Sequence, residues 1–237
     1  MPEGPDYYNS FTHLSQNEIE GSSYQRRWKR HEWKHNGGST PTPEQETIIL
    51  AIHGGGIETG TSELALATAS MVEGFNGVPA TSETYDYYLF EGLLSSGNGR
   101  LHVTASNFDD PVALELVQNS TKCISYHGCT DTQPNESTGE GFKAILIGGL
   151  DSDLKEKCRA RLVEAGFNAY ITNQEMLDGD MPENIANKTK TGGCCQFEIT
   201  TSQRSAFFTN NTRAGRASST TEEFWRFVNA VRQALKD

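Results

Sequence analysis

Ile48-Ile49-Leu50-Ala51-Ile52-His53-Gly54-Gly55-Gly56-Ile57-Glu58-Thr59-Gly60-Thr61-Ser62-Glu63 joins an apolar run to a histidine, three glycines, a carboxylate and a helix-start signal. The β-branched run reads as a buried strand. Glycine lets the backbone adopt positive φ and approach a ligand closely. A neutral imidazole and a carboxylate on a short loop at a strand's end suit a cation such as zinc. No Lys-Ser/Thr pair follows the glycines, which excludes a phosphate-cradling P-loop.

Working outward, strand-like and helix-like segments alternate. Thr61 or Ser62 caps a helix whose apolar positions run from Leu64 to Phe75. Tyr85–Phe90, Leu101–Thr104, Cys123–Tyr126, Ala144–Ile147, Phe167–Thr172 and Gln196–Thr200 read as strands. Asp110-Pro111 is a cap followed by an N1 proline. Asp151 opens a helix with Leu154, Cys158, Leu162 and Val163 inward, stopped by Gly166. A capping box, Thr220-Thr221-Glu222-Glu223, opens a last helix with a stripe of Phe224, Phe227, Val228, Val231 and Leu235. Such alternation predicts a three-layer α/β fold, its sheet mostly parallel or mixed and covered by helices on both faces. A single catalytic domain over 1–237 is expected, with 1–46 an irregular segment packed on it.

Composition narrows the function. The chain has 237 residues, 35% of them hydrophobic, and a net charge of -11. No apolar run approaches a membrane span, and Met1-Pro2-Glu3-Gly4-Pro5 lacks the features of a signal peptide. The compartment stays open, with extracellular action compatible. The acidic balance argues against nucleic acid. The exception is Arg26-Arg27-Trp28-Lys29-Arg30-His31, with Trp33 and Lys34 behind it, which reads either as a solvated strand or as a contact for an anionic polymer. Five cysteines lack any Cys-x-x-Cys spacing. Four glycosylation sequons, at Asn119, Asn135, Asn187 and Asn210, decide little in a chain so rich in Asn, Ser and Thr.

In α/β folds ligands sit beyond the carboxyl ends of strands. His53 and Glu58 follow one strand there, and His127 ends another in Ser125-Tyr126-His127-Gly128. Glu198 lies within Cys195-Gln196-Phe197-Glu198-Ile199-Thr200, where alternation puts Gln196, Glu198 and Thr200 on one face. Two histidines and a glutamate make a three-ligand zinc site with an open position, and a free carboxylate beside it is a general base. His102 is the alternative third ligand. Cys129 invites a thiolate reading that no spacing supports.

The chain resembles the phage-type poly-γ-glutamate hydrolases, related in fold to the zinc carboxypeptidases. The first motif carries the resemblance. It is followed in order by Leu101-His102-Val103-Thr104-Ala105-Ser106-Asn107-Phe108-Asp109-Asp110-Pro111, Ser125–Gly128, Ile147-Gly148-Gly149-Leu150-Asp151, Asn184-Ile185-Ala186-Asn187 and Gln196-Phe197-Glu198-Ile199. It spans residues 47–204. It implies that His53, Glu58 and His127 bind zinc, that Glu198 is the catalytic base, and that His102 lies against substrate or behind the ligands. It departs at Lys188, where relatives carry arginine, so a bidentate carboxylate fork is lost.

The expected activity is zinc-dependent hydrolysis of γ-glutamyl amide bonds by a monomer, with Lys188, Arg204 and Arg100 forming a local positive patch for substrate carboxylates. The alternatives are a zinc deacylase or carboxypeptidase acting on a small N-acyl amino acid, and a non-catalytic module binding an anionic polymer. In the latter a fourth protein ligand would close the metal site.

Overall fold

The computed structural model describes residues 5–30, 46–76 and 84–237. Its elements are α1 (Phe11–Asn17), β1 (Tyr24–Lys29), β2 (Thr47–Gly55), α2 (Thr61–Thr68), β3 (Asp86–Gly92), α3 (Pro111–Gln118), β4 (Lys122–Cys129), β5 (Ile145–Gly148), α4 (Ser152–Glu164), β6 (Ala169–Ile171), β7 (Cys195–Thr200), α5 (Thr201–Ala206) and α6 (Glu222–Lys236). Seven strands form one sheet in the order β1-β3-β2-β4-β7-β5-β6. The central β3-β2-β4-β7 pairings are parallel, whereas β1 on β3 and β5 on β7 are antiparallel. The mixed α/β architecture follows the alternation in the sequence.

Helices cover both faces. Ile49, Ala51, Ile124, Tyr126, Phe197 and Ile199 pack with α2, α4 and α6. Ile48, Leu50, Ile52 and Cys123 pack with α1, α3 and the segment around Val103. Burying β2 on both sides requires its unbroken apolar run. All five stripe residues of α6 are buried. In α4, Val163 is exposed instead, so only Leu154, Cys158 and Leu162 face inward.

Several expectations are corrected. Residues 5–30 are not irregular: Ser10 caps α1 by accepting from the His13 amide, and β1 adds an antiparallel edge to β3. The helix expected to reach Phe75 stops at Thr68, and Ser70 takes φ 62°. Its N-cap is Gly60, while the Thr61 hydroxyl turns back to donate to the Glu58 carbonyl at 2.8 Å. Leu101–Thr104 is no strand: a 3-10 turn over Asn98–Leu101 leads into an extended segment whose Val103 carbonyl accepts from His53.

The basic cluster is held by acids rather than offered to a polymer. Arg26 meets Glu20 at 2.8 Å and Asp110 at 3.0 Å, Arg27 meets Glu91 at 2.6 Å, and Arg30 meets Glu115 at 2.6 Å. His31, Trp33, Lys34, His35 and the loop expected over 35–43 lie outside the described residues. Among the described residues no helix is long and apolar enough to cross a membrane. The five cysteines are buried free thiols.

Candidate metal centre and the family of the chain

The site forms where β2, β4 and β7 end. Strict alternation would put His53 on the face of Ile49 and Ala51. The β2–β3 register, however, shifts between Ala51 and Gly54, so β2 holds one extra residue there. A bulge of this kind re-aims a side chain. The His53 ring accordingly meets that of His127, whose strand neighbour Ser125 also faces away from the Tyr126 core. After β2 the chain turns tightly, with the Glu58 amide donating to the His53 carbonyl at 2.8 Å. Gly55 makes that turn at φ 65°, where a Cβ would stand 2.5 Å from the Gly92 carbonyl oxygen.

Three donors converge. His53 Nδ1 lies 3.1 Å from Glu58 Oε1 and 3.0 Å from His127 Nδ1, and His127 Nδ1 is 3.7 Å from Glu58 Oε2. Donors bound to one tetrahedral zinc at 2.0–2.1 Å stand about 3.4 Å apart, so this spacing brackets the requirement. The second-sphere contacts agree. His53 Nε2 lies 2.8 Å from the Val103 carbonyl, which can only accept, so that nitrogen carries the proton and Nδ1 presents a lone pair. A lone pair facing a carboxylate oxygen at 3.1 Å is repulsive unless a proton or a cation lies between them. His127 Nε2 contacts the Ser125 hydroxyl at 3.1 Å, and Glu58 Oε2 accepts from the Gly128 amide at 2.8 Å. The donor set therefore fits a zinc-like cation.

Glu198 is Cα-paired with His127 across β4 and β7. Its Oε1 accepts from Gln196 Nε2 at 3.2 Å, whose Oε1 accepts from Asn184 Nδ2 at 2.8 Å. Its Oε2 is buried without a partner. Both His127 and Glu198 line a cavity of about 290 Å³, along with His53, Gln196 and Asn184. The alternation read from the sequence thus puts Gln196 and Glu198 on the cavity side, while the orienting roles of Asn184 and Gln196 are visible only in three dimensions.

Charge follows from burial. Desolvation, then the Glu58 charge, pushes the Glu198 carboxyl well above the usual range. Burial opposes ionisation of Glu58 too, but the facing His53 ring outweighs it and holds that carboxyl well below the usual range. Burial and the neighbouring His53 ring bring His127 down to about 3, leaving it a neutral donor. Cys129, 1% exposed, is pushed up to about 12 by burial, so the thiolate reading falls.

The expected positive patch is corrected. Arg204 is buried behind the site, donating to the carbonyls of Ile199 (3.0 Å), Thr59 (2.9 Å) and Cys129 (3.2 Å), so its cation ties the ends of β4 and β7 to the loop after β2 instead of meeting solvent. Arg100 pairs with Glu18 at 2.6 Å at a separate surface pocket with Tyr7 and His13. Lys188 is half-buried after the 3-10 turn Ile185–Asn187 and does not line the cavity. His102 sits behind His53, with ring centroids 3.9 Å apart, and also does not line it. The described cavity lining holds no Lys or Arg, and includes Glu175, Asp178 and Asp180.

Arg204 also explains Gly128. A Cβ there would lie 2.5 Å from the guanidinium carbon. Gly128→Ala should therefore displace Arg204 and lower stability by about 1–3 kcal/mol, the usual cost of overpacking a filled interior. Urea unfolding measures this, and an unchanged midpoint would show that the guanidinium yields freely.

Comparison with known proteins agrees with this architecture. The chain matches the poly-γ-glutamate hydrolase family over residues 8–230. It is 36% identical over 199 residues to YoqZ, an SPβ prophage-derived protein of Bacillus subtilis (strain 168), covering 84% of this chain and 65% of that protein. It is 35% identical to YndL of the same organism, covering 98% of this chain and 79% of YndL. Among solved structures, a bacteriophage poly-γ-glutamate hydrolase superposes with TM-score 0.79 at 31% identity, over 97% of this chain and 96% of its own. A zinc-free apo form of YndL does so with TM-score 0.79 at 34% identity, over 98% of each chain. The match runs through the glycine loop, both strand-end histidines and the strand of Glu198, and the chain belongs to the poly-γ-glutamate hydrolase family.

Proposed function

We propose that this protein is a zinc-dependent hydrolase that cleaves γ-glutamyl amide bonds of poly-γ-glutamate. The observation that carries the reading is the convergence of His53 Nδ1, Glu58 and His127 Nδ1 at 3.0–3.7 Å, with Glu198 on the adjoining strand and on the same cavity. Family membership and the likeness to a bacteriophage poly-γ-glutamate hydrolase support the substrate class.

His53, Glu58 and His127 would hold the ion. Zinc so bound supplies Lewis-acid polarisation of a carbonyl and a more acidic water at neutral pH. Glu198 accepts a proton from water as the oxygen attacks the amide carbon, and delivers it to the departing amine as the C–N bond breaks. Asn184 and Gln196 hold one Glu198 oxygen by a relay of hydrogen bonds and leave the other, unpartnered, for the proton. Burial, and after it the Glu58 charge, raises Glu198; the second of these would be offset with a cation held by Glu58, which favours the carboxylate form that accepts the proton.

One observation favours a second reading, a deacylase or carboxypeptidase acting on a small amide. Besides Glu198, the described cavity lining carries three acids, Glu175, Asp178 and Asp180, and no Lys or Arg, and it therefore repels a polyanion. Both readings are separated by incubating zinc-loaded protein with poly-γ-glutamate and with N-acyl amino acids, with and without a chelator. Chelator-sensitive shortening of the polymer is expected. Cleavage of the small amides alone would replace the lead reading with the second.

A further inference from the structure

A second cavity, of about 650 Å³, opens beside the glycine loop and shares no lining residue with the cavity at the metal centre. Gly55, Gly56 and Thr59 form one wall, residues 93–99 after β3 another, and Asn211, Arg213 and Arg216 a third. The described lining holds two arginines and no acid, the reverse of the first cavity. In the sheet β3 is two strands from β4, so at the usual strand spacing Leu93 lies about 10 Å from His127 along the carboxyl edge.

The walls are braced. Asn98 Oδ1 accepts from the Leu94 amide at 3.0 Å, and its Nδ2 donates to the Leu94 carbonyl at 2.8 Å. A Cβ on Gly56 would stand 2.5 Å from that Nδ2, so the glycine loop and the 93–99 loop fit closely together. Asn210 Oδ1 accepts from the Thr212 amide at 3.2 Å and the Thr212 hydroxyl at 2.9 Å, fixing the turn that carries Arg213. Arg216 is 2% exposed; its Nε donates to Glu63 Oε1 at 2.8 Å and its Nη2 to the Gly55 carbonyl at 3.2 Å, so its charge is already offset. Arg213 differs. It is exposed, its Nη1 donates to the Leu93 carbonyl at 2.8 Å, and it meets no acid among the described residues. Arg26, Arg27, Arg30 and Arg100, by contrast, each meet one. A guanidinium aimed by a carbonyl but not neutralised keeps most of its fork for an anion.

We infer that the second cavity is a carboxylate subsite, in which Arg213 holds a pendant α-carboxylate of poly-γ-glutamate while the metal centre holds the amide to be cleaved. The inference rests on the substrate reading above and deepens it. An α-linked residue advances at most about 3.5 Å over three backbone bonds, so a γ-linked unit, with five, advances about 6 Å and the subsite falls about two units from the scissile amide. The planar guanidinium matches a carboxylate with two parallel hydrogen bonds. Braced walls keep the ordering cost of binding low. The subsite supplies the positive contact that the first cavity lacks, so a polyanion is attracted locally by a chain whose net charge is -11.

Fluorescence anisotropy of labelled poly-γ-glutamate with the metal-free full chain reads binding apart from catalysis. Arg213→Ala should weaken binding by about 10-fold, the order of a lost charge-assisted hydrogen bond. Arg213→Lys should weaken it less, since the charge remains and only the fork is lost. Ser96→Glu, at an exposed position of the lining, should weaken it by repulsion. Raised salt should weaken the wild type more than Arg213→Ala. In the zinc-loaded enzyme the loss should appear as a raised KM for the polymer with kcat kept. A γ-glutamyl dipeptide, too short to span both cavities, should show no such loss. Wild-type affinity in both Arg213→Ala and Ser96→Glu, or equal losses on polymer and dipeptide, overturns the subsite and leaves the substrate reading standing. A zinc-loaded wild-type chain that neither binds nor cleaves the polymer overturns the substrate reading instead.

Discussion

Glu198→Gln should lower kcat on poly-γ-glutamate by about 10²–10⁴-fold, the range typical of a lost general base, with zinc affinity unchanged. The substitution is nearly isosteric, and the amide keeps an oxygen to accept from Gln196 Nε2 at the present 3.2 Å. It cannot take up a proton at neutral pH, so the water loses its base and the leaving amine its acid. Stability supplies an internal control. Glu198 is fully buried, close enough to feel the Glu58 charge, and has one oxygen with no partner. Removing a buried group that would ionise against a like charge is neutral or stabilising. The zinc-free variant should therefore unfold at the wild-type temperature or above it. Unaltered turnover would remove Glu198 from the mechanism, and a large loss of stability would mean that the carboxyl holds the strand ends together rather than acting on substrate.

What could be read in the sequence depended on whether the deciding interactions were local. The β2 run, the Asp110 and Asp151 caps and the α6 stripe are short-range patterns, and each forms the expected element. His53, Glu58 and His127 could be nominated because each reads as following or ending a strand, and parallel strands bring such ends together; Glu198 is reached by alternation within its strand. Leu101–Thr104 failed because alternation without a neighbouring strand forms no sheet; its backbone serves His53 instead. The N-terminal segment failed for a similar reason. Its polar composition hides Phe11, Leu14 and Tyr24, whose burial depends on β3 and on Phe108 about a hundred residues away. The positive patch failed because residue type does not report which way a side chain points. Arg204 is four residues beyond β7 and aims back at backbone carbonyls.

The second large effect concerns the cation. A ligand that binds only the folded state stabilises it by RT ln(1 + [L]/Kd), about 4.1 kcal/mol at a thousandfold excess over Kd. Zinc added to the metal-free protein should therefore raise the unfolding temperature by several degrees, and a chelator should reverse the shift. In His53→Ala that shift should vanish, and activity should fall to the level of the chelated wild type. His53 is the appropriate residue to remove because it touches both other donors, at 3.1 and 3.0 Å, whereas the closest approach of His127 to Glu58 is 3.7 Å. Its loss also leaves the Val103 carbonyl without its donor and Glu58 without the ring nearest its charge. The metal-free variant should thus be less stable than the metal-free wild type, by about 1–3 kcal/mol for the unsatisfied groups. The zinc-dependent increment is read on top of that offset, so the two effects separate cleanly in thermal scans with and without metal. A His53→Ala protein that still gains the full zinc shift would place the cation elsewhere, and would leave the convergence of His53, Glu58 and His127 a hydrogen-bonded cluster that holds the ends of β2 and β4 together.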